Sequence, residues 1–350
     1  MAAPIDLYKE YKQTQQYKDN PKEVNADTTL GSPIYDYRDR VLIMNKDNGH
    51  LKLGDVILSD KQKYCLHDPR PFVFAEGTTN SGKSFVMGLK FIKRILTSPK
   101  SATQFVLAGK SVGTLERMYI QNMTSFFNLY SPICTYKKMG IGGSRIEVKT
   151  AKGIKVIYLV GYDNARRWQA ILGMTIAGMN IEEINIGQED FLRESFLRSD
   201  RNNGWMLSTC NGASPALMVY KEYLNVARPL ERFAKGVPAS TWKELKDSQP
   251  DPAYAYYFFT FRDNPTMDEG AIENLIKHTP PKSFLYTTKI LGERGVQEGT
   301  AFAQFMTTDL IRPHDEVLKM QFEDFAIGVD VGAVDYTVFV LKDSQRTLTV

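Results

Sequence analysis

The chain has 350 residues, of which 43% are hydrophobic and 24% charged, and its formal net charge is +4. This length and balance are typical of a soluble protein with one large α/β domain and part of another, and no apolar run is long enough to span a bilayer. The polar N-terminus excludes a secretory signal peptide, so we expect a cytoplasmic protein. Cys65, Cys134 and Cys210 lack a zinc-binding spacing and are expected to be reduced thiols.

Residues 1–55 are polar, with little apolar periodicity before Val41. We expect them to form a mobile arm or an accessory cap, because they offer too few apolar side chains for a core of their own. Gln62 comes shortly afterwards. Its amide could bind the edge of an adenine, since it both donates and accepts hydrogen bonds, or it could be a solvated side chain at the start of a helix.

The next motif lies between a short strand-forming run, residues 72–75, and an amphipathic run rich in helix formers. Its sequence GTTNSGKS has the P-loop spacing, in which backbone N–H groups and a helix N-terminus surround a triphosphate. Lys83 is predicted to contact the β and γ phosphates, and the Ser84 hydroxyl to bind Mg²⁺. The predicted phosphate-binding residues are Gly77, Thr78, Thr79, Asn80, Ser81, Gly82, Lys83 and Ser84.

Further strands and helices alternate along the chain. Residues 103–110 are predicted to form a buried strand, and Ser111 to cap a helix that presents Tyr119 among its apolar residues. Residues 145–148 and 154–160 alternate as the two strands of a hairpin. Strands alternating with helices predict a mainly parallel, doubly wound sheet.

An acidic pair, Glu182 and Glu183, follows the apolar strand predicted at residues 174–181. Two acids at a strand end after a P-loop are typical of a Walker B site. We assign Glu182 to the metal ion and Glu183 to the attacking water as catalytic base. Glu182 stands where Asp is more usual, so its longer side chain must fold back.

Residues 204–212 are predicted to form another apolar strand, which ends in small polar residues from Ser208 to Asn211. In P-loop motors such a strand end lies beside the γ-phosphate, and we include Asn211 among the nucleotide-binding residues. The alternative is an ordinary strand followed by an Asn-Gly turn.

In this order the motifs resemble those of the large subunit of a tailed-phage terminase, over about residues 55–350. Besides the P-loop and the acidic pair, the likeness includes the coupling motif near Asn211 with its following helix, segments 261–267 and 283–299, and the strand IGVDVG at 327–332. It implies an α/β P-loop NTPase core, a linker and the start of an RNase H-like nuclease domain. The expected boundaries are 1–55 for the arm, 56–240 for the core, 241–320 for the linker and 321–350 for the nuclease.

The resemblance further implies an ATPase that moves double-stranded DNA into a procapsid in the cytoplasm of an infected bacterium. Its expected partners are the DNA, the portal protein and the small terminase subunit, and a homo-oligomeric ring is expected on the procapsid, with no membrane contact. Asp330 resembles the first nuclease carboxylate, a ligand for Mg²⁺ or Mn²⁺. The later nuclease carboxylates are not in this sequence, so we expect little or no DNA cutting.

The phosphate loop lacks the Arg that the family often carries there. The cation for the γ-phosphate is therefore expected elsewhere, with Arg166 or Arg167 of a neighbouring subunit preferred, Arg167 as the catalytic choice, and Arg198 and Arg201 as alternatives.

DNA contacts are less clearly indicated. The lysines around the predicted hairpin are candidates to bind DNA phosphates, although a solvated hairpin face fits them equally. They are Lys137, Lys138, Lys149, Lys152 and Lys155. The aromatic run at residues 254–259 is expected to be a buried strand rather than a base-stacking surface.

Two other functions remain open at this point. The chain could be a nucleotide-gated module that binds the portal or the small subunit without turnover of its own. It could also be another P-loop DNA translocase or helicase, although no convincing set of helicase motifs follows Asn211.

Overall fold

The computed structural model describes residues 58–138, 143–163, 169, 171–201, 204–281 and 283–296, together with six strands outside these ranges. The chain divides into two compact units, Met1–Glu298 and Gly299–Val350.

The first unit contains eleven named strands in its described part. They are β1 (Tyr35–Asp36), β2 (Arg40–Met44), β3 (Leu51–Leu53), β4 (Phe72–Gly77), β5 (Gln104–Gly109), β6 (Cys134–Lys137), β7 (Arg145–Thr150), β8 (Gly153–Gly161), β9 (Ile176–Ile181), β10 (Trp205–Cys210) and β11 (Tyr254–Phe259).

The α-helices of the described part are α1 (Asp60–His67), α2 (Lys83–Thr97), α3 (Val112–Leu115), α4 (Phe126–Leu129), α5 (Glu189–Arg201), α6 (Glu231–Ala234), α7 (Ala239–Asp247) and α8 (Glu269–Lys277). Three π-helical turns accompany them, at Glu116–Gln121, Tyr220–Leu224 and Tyr286–Ile290. The first of these turns continues directly from α3, whose N-cap is Ser111, as predicted.

Eight strands form one sheet in the order β11-β4-β10-β9-β5-β8-β7-β6. The first six are parallel to one another, while the β7–β8 and β6–β7 pairs are antiparallel. The predicted mainly parallel α/β sheet with its hairpin is therefore confirmed. The strand that precedes the acidic pair begins at Ile176, two residues later than predicted.

Strand β4 is buried on both faces of this sheet. Phe72 and Phe74 pack into one apolar cluster, which also receives residues of α5, while Val73 and Ala75 pack into the other cluster, against α2. A strand covered on both sides needs a continuous apolar run, which is what residues 72–75 provide. The buried β11 likewise confirms that the aromatic run is core.

Strand β11 also corrects the predicted end of the core domain. Its residues pair with β4 from Tyr254↔Phe72 to Phe259↔Gly77, so the sheet continues past residue 240. The sequence boundary was too early because nothing local distinguishes an edge strand of this sheet from a strand of a following subdomain.

Outside the eight-stranded sheet, β1, β2 and β3 form an antiparallel three-stranded sheet within the segment predicted to be an arm or cap. In the second unit, β12 (Ala326–Asp330), β13 (Val338–Lys342) and β14 (Thr347–Thr349) form another antiparallel sheet in that order. Across the described residues, no helix is both long enough and apolar enough to cross a membrane.

Candidate nucleotide-binding site

The predicted P-loop and acidic pair meet at one edge of the eight-stranded sheet. Parallel strands present their carboxyl ends on the same side, and β4, β10, β9 and β5 are adjacent here. In register, Cys210 lies opposite Glu76 and Ser208 opposite Ile181, so the residues that follow these strands are brought together.

The loop 77–84 has a backbone that only particular residues can adopt. Gly77 has φ of 143°, and a Cβ there would lie 1.9 Å from the carbonyl oxygen of Phe259. Asn80 has φ of 52°, a region that Asn tolerates better than most residues, and its carbonyl accepts a hydrogen bond from Asn264 at 2.7 Å. Gly82, with φ of 79°, begins α2 without a side-chain cap, which leaves first-turn N–H groups for a ligand.

Lys83 lies over the loop that precedes it. Its Nζ donates to the carbonyls of Gly77 and Thr78 at 3.2 and 2.5 Å, and to Oδ1 of Asn211 at 3.2 Å. Burial lowers the pKa of Lys83 to about 8. An anion entering the loop would replace these carbonyl oxygens as the partner of the ammonium group.

Four donors surround the carboxylate of Glu182, which is 2% exposed. Oε2 accepts from the hydroxyls of Ser84 at 2.8 Å and Thr209 at 2.5 Å. Oε1 accepts from the hydroxyl of Tyr119 and, at 3.4 Å, from Nδ2 of Asn180. The side chain thus folds onto the P-loop serine, and no role at this site was predicted for Tyr119, which was named only as a residue of the helix capped by Ser111.

Glu183 has a left-handed backbone, with φ of 51° and ψ of 50°. Its N–H donates to Oγ1 of Thr209 at 3.2 Å, and its carbonyl accepts from the hydroxyl of Tyr162 at 3.0 Å. A non-glycine residue held in this region is costly and needs such supports. The backbone of Glu183 is therefore held by Tyr162, which follows β8, and by Thr209 of β10, as well as by its own strand.

The side chain of Gln62 is 1% exposed, so the predicted alternative of a solvated side chain at a helix start was wrong. Its side-chain oxygen accepts from the N–H of Ser59 at 3.0 Å and completes a capping box for α1. A Cβ added at Gly82 would lie 2.5 Å from Nε2 of Gln62. The amide therefore lies against the P-loop, and adenine binding stays a prediction.

A buried ion cluster lies behind the P-loop. The guanidinium of Arg294 donates to both carboxylate oxygens of Glu76, the residue before Gly77, with the shortest distance 2.8 Å. It also donates to Asn225 and Glu244 at 2.6 and 2.7 Å. Burial alone would lower the pKa of Arg294, but the Glu76 charge raises it above the ordinary value. No sequence signal relates these residues, because 218 positions separate Glu76 from Arg294.

The segment that carries Arg294, residues 286–296, contacts both sides of the site. The N–H of Thr79 donates to the carbonyl of Lys289 at 3.0 Å, and the N–H of Gly295 donates to the carbonyl of Ala213 at 3.0 Å. The segment assigned by sequence to the linker therefore packs against the P-loop and against the strand end that carries Asn211.

Four predicted residues lie outside the part of the chain that the structure describes. They are Arg166 and Arg167 and, as regards their side chains, Arg201 and Asp330. Arg198 is described, and its guanidinium pairs with Glu194 at 2.6 Å. Their roles stay predictions.

The predicted lysine cluster is not a set of free cations. Lys155 is buried and donates to the carbonyls of Pro99 and Ala102, while Lys137 pairs with Glu147 at 2.9 Å. Lys138 lies 3.8 Å from Glu116, and Lys152 donates to a backbone carbonyl. The interpretation of this hairpin as a DNA surface is wrong for the buried Lys155 and stays a prediction for Lys137, Lys138, Lys149 and Lys152.

The oxygens at Ser84 and Glu182 fit a magnesium ion. Mg²⁺ in nucleotide sites usually takes one or two protein oxygens, with phosphates and waters as its other ligands. Among the described residues, no group of three or more His, Cys, Asp or Glu is placed to hold a metal ion.

Comparisons with known proteins give matches to solved structures alone. No model of a protein family matches the chain, and neither does any curated protein. The large terminase of the thermophilic bacteriophage D6E, in complex with ADP, matches with a TM-score of 0.55 and 21% identity, over 81% of this chain and 64% of that one. Its complex with ATP-gamma-S matches with a TM-score of 0.52 and 19% identity, over 84% of this chain and 68% of that one.

The ATPase domain of the Thermus phage P74-26 large terminase matches with a TM-score of 0.50 and 11% identity, over 65% of this chain and 90% of that domain. The chain spans 64% of the length of the D6E large terminase. At these identities the likeness concerns the fold. The chain therefore has the P-loop fold of large-terminase ATPase domains.

Proposed function

We propose that this chain is the ATP-hydrolysing motor subunit of a viral terminase and translocates double-stranded DNA into a procapsid. The observation that carries the proposal is the hydrogen bond between Ser84 of the P-loop and Glu182 at the end of β9, 2.8 Å long. A Walker A hydroxyl and a Walker B acid in contact form the half of a magnesium site that a protein supplies to Mg·ATP.

The proposed roles combine the observed contacts of Lys83, Ser84 and Glu182 with the sequence motif that includes Glu183. Lys83 would neutralise the β and γ phosphates, Ser84 and Glu182 would hold a magnesium ion, and Glu183 would accept a proton from the attacking water. Bound Mg²⁺ supplies charge neutralisation on the transferred phosphoryl group. Asn211, which bonds Lys83 at 3.2 Å, links the phosphate site to β10.

Other parts of the proposal rest on the resemblance. They include a γ-phosphate cation from Arg167 or Arg166 of a neighbouring subunit, a ring on the procapsid, contact with the portal and the small subunit, and a location in the host cytoplasm. Cutting of concatemeric DNA by a C-terminal nuclease that includes Asp330 belongs to the same set.

The test compares two variants for ATP binding and for steady-state ATPase activity, with and without procapsids and DNA. Lys83→Ala is expected to lose nucleotide binding, because the charge at the phosphates is removed. Glu183→Gln is expected to bind ATP with wild-type affinity and to lose turnover by at least about 100-fold, since an amide is a poor base.

Normal turnover by Glu183→Gln would refute the assignment of the base. Nucleotide binding without turnover by the wild type, even with procapsids and DNA, would refute the motor and favour the nucleotide-gated module. Strand separation of duplex DNA would instead favour a helicase.

A further inference from the structure

We propose that Tyr119 is a positioning residue that folds the Glu182 carboxylate back onto Ser84 and so sets the affinity of the site for magnesium. The inference rests on the proposed function, because it concerns the metal half of the same nucleotide site. It assigns a role to a residue for which no role was predicted from the sequence.

The first step concerns the length of the acid. Glutamate is one methylene longer than the aspartate that is more usual at this position, so its extra rotatable bond allows more orientations of the carboxylate. Oε2 faces the P-loop, where the hydroxyls of Ser84 and Thr209 donate to it. Oε1 is held on the other side by the Tyr119 hydroxyl and by Asn180. With Oε1 bound by Tyr119, Oε2 is the oxygen that remains on the P-loop side.

The second step concerns the tyrosine itself, whose ring lies in a space shaped for it. A Cβ added at Gly88, in the middle of α2, would lie 3.2 Å from Cε1 of Tyr119, so the helix has no side chain where the ring passes. The ring packs on Phe126 with 5.2 Å between centroids. Ser125 donates to the Tyr119 carbonyl at 2.5 Å. The packing of the ring on Phe126 and α2 therefore fixes the position of the Tyr119 hydroxyl.

The third step concerns the backbone. Tyr119 lies in the π-helical turn Glu116–Gln121, which follows α3. Such turns are rare and are found often at functional sites, because the wider turn redirects a side chain. Here that side chain is 3% exposed and its hydroxyl ends on the carboxylate of the acidic pair.

The experiment measures binding rather than catalysis. A non-hydrolysable ATP analogue is titrated by calorimetry into the full chain, once with Mg²⁺ and once with EDTA. Groups that orient a metal ligand typically contribute about 10- to 100-fold to metal affinity or activity. Tyr119→Phe is therefore expected to weaken binding about 10-fold with Mg²⁺ and to leave binding in EDTA unchanged. Equal affinities for the two proteins in Mg²⁺ would overturn the inference.

The matched control is Tyr257→Phe. The Tyr257 hydroxyl also donates to a buried carboxylate, that of Asp68, at 2.7 Å, and neither residue belongs to the turn Glu116–Gln121 or to the hydrogen-bond partners described for Glu182. Tyr257→Phe is expected to bind the analogue as the wild type does in both conditions. A loss equal to that of Tyr119→Phe would mean that any such tyrosine affects the site, and would overturn the inference.

A second arm uses Glu182→Asp as the background. The shorter acid no longer reaches Tyr119, so adding Tyr119→Phe is expected to change the Mg²⁺-dependent affinity by less than twofold. A further full loss in this background would show that Tyr119 acts on something other than Glu182, against the inference.

If Tyr119→Phe unfolds at a lower temperature than the assay allows, 3-fluorotyrosine at position 119 keeps the hydroxyl and serves instead. Its ¹⁹F resonance is expected to shift when Mg²⁺ is added to the analogue-bound protein, and an unchanged resonance would contradict the inference.

The two proposals fail in different ways. If the wild type binds the analogue equally with Mg²⁺ and with EDTA, the proposed magnesium site itself is refuted. If binding depends on Mg²⁺ but Tyr119→Phe leaves it intact, only the role of Tyr119 is refuted.

Discussion

Two residues other than glycine have a positive φ in the part of the chain that the structure describes, and both belong to the candidate site. Asn80 lies in the phosphate loop, and Glu183 is the proposed base. Each such residue costs of the order of 1–3 kcal/mol and persists only where its surroundings hold it. The carbonyl of Asn80 is held by Asn264, and the backbone of Glu183 by Tyr162 and Thr209. Strain concentrated at one sheet edge agrees with a site built for chemistry rather than for stability.

Two glycine variants separate backbone strain from steric overlap. Gly77 and Gly153 both have positive φ, at 143° and 104°, but a Cβ at Gly77 would overlap the Phe259 carbonyl, whereas nothing lies within 4 Å of one at Gly153. Gly153→Ala is expected to lower the free energy of unfolding by roughly 1–2 kcal/mol. Gly77→Ala is expected to cost roughly 4 kcal/mol or more and to abolish nucleotide binding. Urea unfolding checks both values, and equal losses would contradict the close approach of β11 to the loop.

The buried ammonium group of Lys83 predicts a pH effect on nucleotide binding. Its pKa is lowered to about 8 by burial, so the folded protein has lost this proton at about pH 9, and a bound polyphosphate raises the pKa again. Binding of Mg·ADP at about pH 9 is therefore expected to take up nearly one proton, and much less at about pH 7. Calorimetry in buffers of different ionisation heat measures the uptake. No difference between the two pH values would mean that Lys83 is fully protonated in the free protein at both.

The same shift has a defined sign for stability. Because the pKa of Lys83 is lower in the folded chain than its ordinary 10.5, the unfolded chain binds more protons between the two values. The contribution of Lys83 to the free energy of unfolding is thus unfavourable below about pH 8, and this penalty diminishes as the pH rises from about 8 to 10.5.

At the scale of elements, the ion pair between Glu76 and Arg294 joins the end of β4 to the 286–296 segment. Their side chains are 0% and 1% exposed, so neither charge has water as a substitute partner. The ring of Tyr220 lies under Arg294, with the guanidinium carbon 4.0 Å from the centroid, and the Tyr220 hydroxyl donates to the Asn211 carbonyl at 3.2 Å. The P-loop, the strand end at Asn211 and the 286–296 segment are therefore held by one cluster.

Removal of one partner of this pair should be severe. Arg294→Met leaves the Glu76 charge buried, and the expected loss is about 3–5 kcal/mol in the free energy of unfolding. The control is Arg193→Met, which breaks the exposed pair with Glu222, whose side chains are 49% and 38% exposed. Such pairs contribute about 0–1 kcal/mol. Denaturant unfolding of both variants tests this contrast.

The double variant Glu76→Gln with Arg294→Met makes the test sharper. It removes both charges, so it should recover much of the stability that Arg294→Met loses. If the double variant is instead less stable than Arg294→Met alone, the single-variant loss came from packing around Tyr220 and not from an unpaired charge.

At the scale of the whole molecule, the described contacts of the candidate nucleotide site lie within the first unit. Every contact described for Lys83 and Glu182 joins residues of 58–296, and the sheet that aligns them ends with β11. Strand β11 matters beyond its own pairing, because the Phe259 carbonyl accepts the N–H of Thr78 at 2.9 Å.

Two truncations test this division. A chain ending after Glu298 is expected to unfold cooperatively and to bind Mg·ADP with the affinity of the full chain. A chain ending after Ser240 lacks β11 and the 286–296 segment, exposes one edge of β4, and is expected to lose binding and to aggregate. Thermal melting and calorimetry report on both. Equal binding by the two chains would restore the boundary predicted at residue 240.

The P-loop and the strand before the acidic pair could be predicted because their signals are local. Each feature has a sequence pattern within a few residues: glycines at the turns of the loop, a lysine at the phosphate position and an apolar run in the buried strand. For the same reason the helix cap at Ser111 and the hairpin of β7 and β8 were predicted correctly. Gln62 was ambiguous, because an amide that binds an adenine edge and a solvated amide at a helix start have the same sequence, and its capping box was not predicted.

The sequence by itself determined that a phosphate loop, an acidic pair and a parallel sheet are present, since each depends on the spacing of near neighbours. Only the tertiary structure decided which groups surround them. Tyr119 reaches Glu182 across 63 positions, and Arg294 reaches Glu76 across 218. Strand β5, which precedes the turn that carries Tyr119, lies beside β9, and the 286–296 segment packs against the end of β4. Such neighbours arise from the packing of the whole sheet, which no short stretch of sequence encodes.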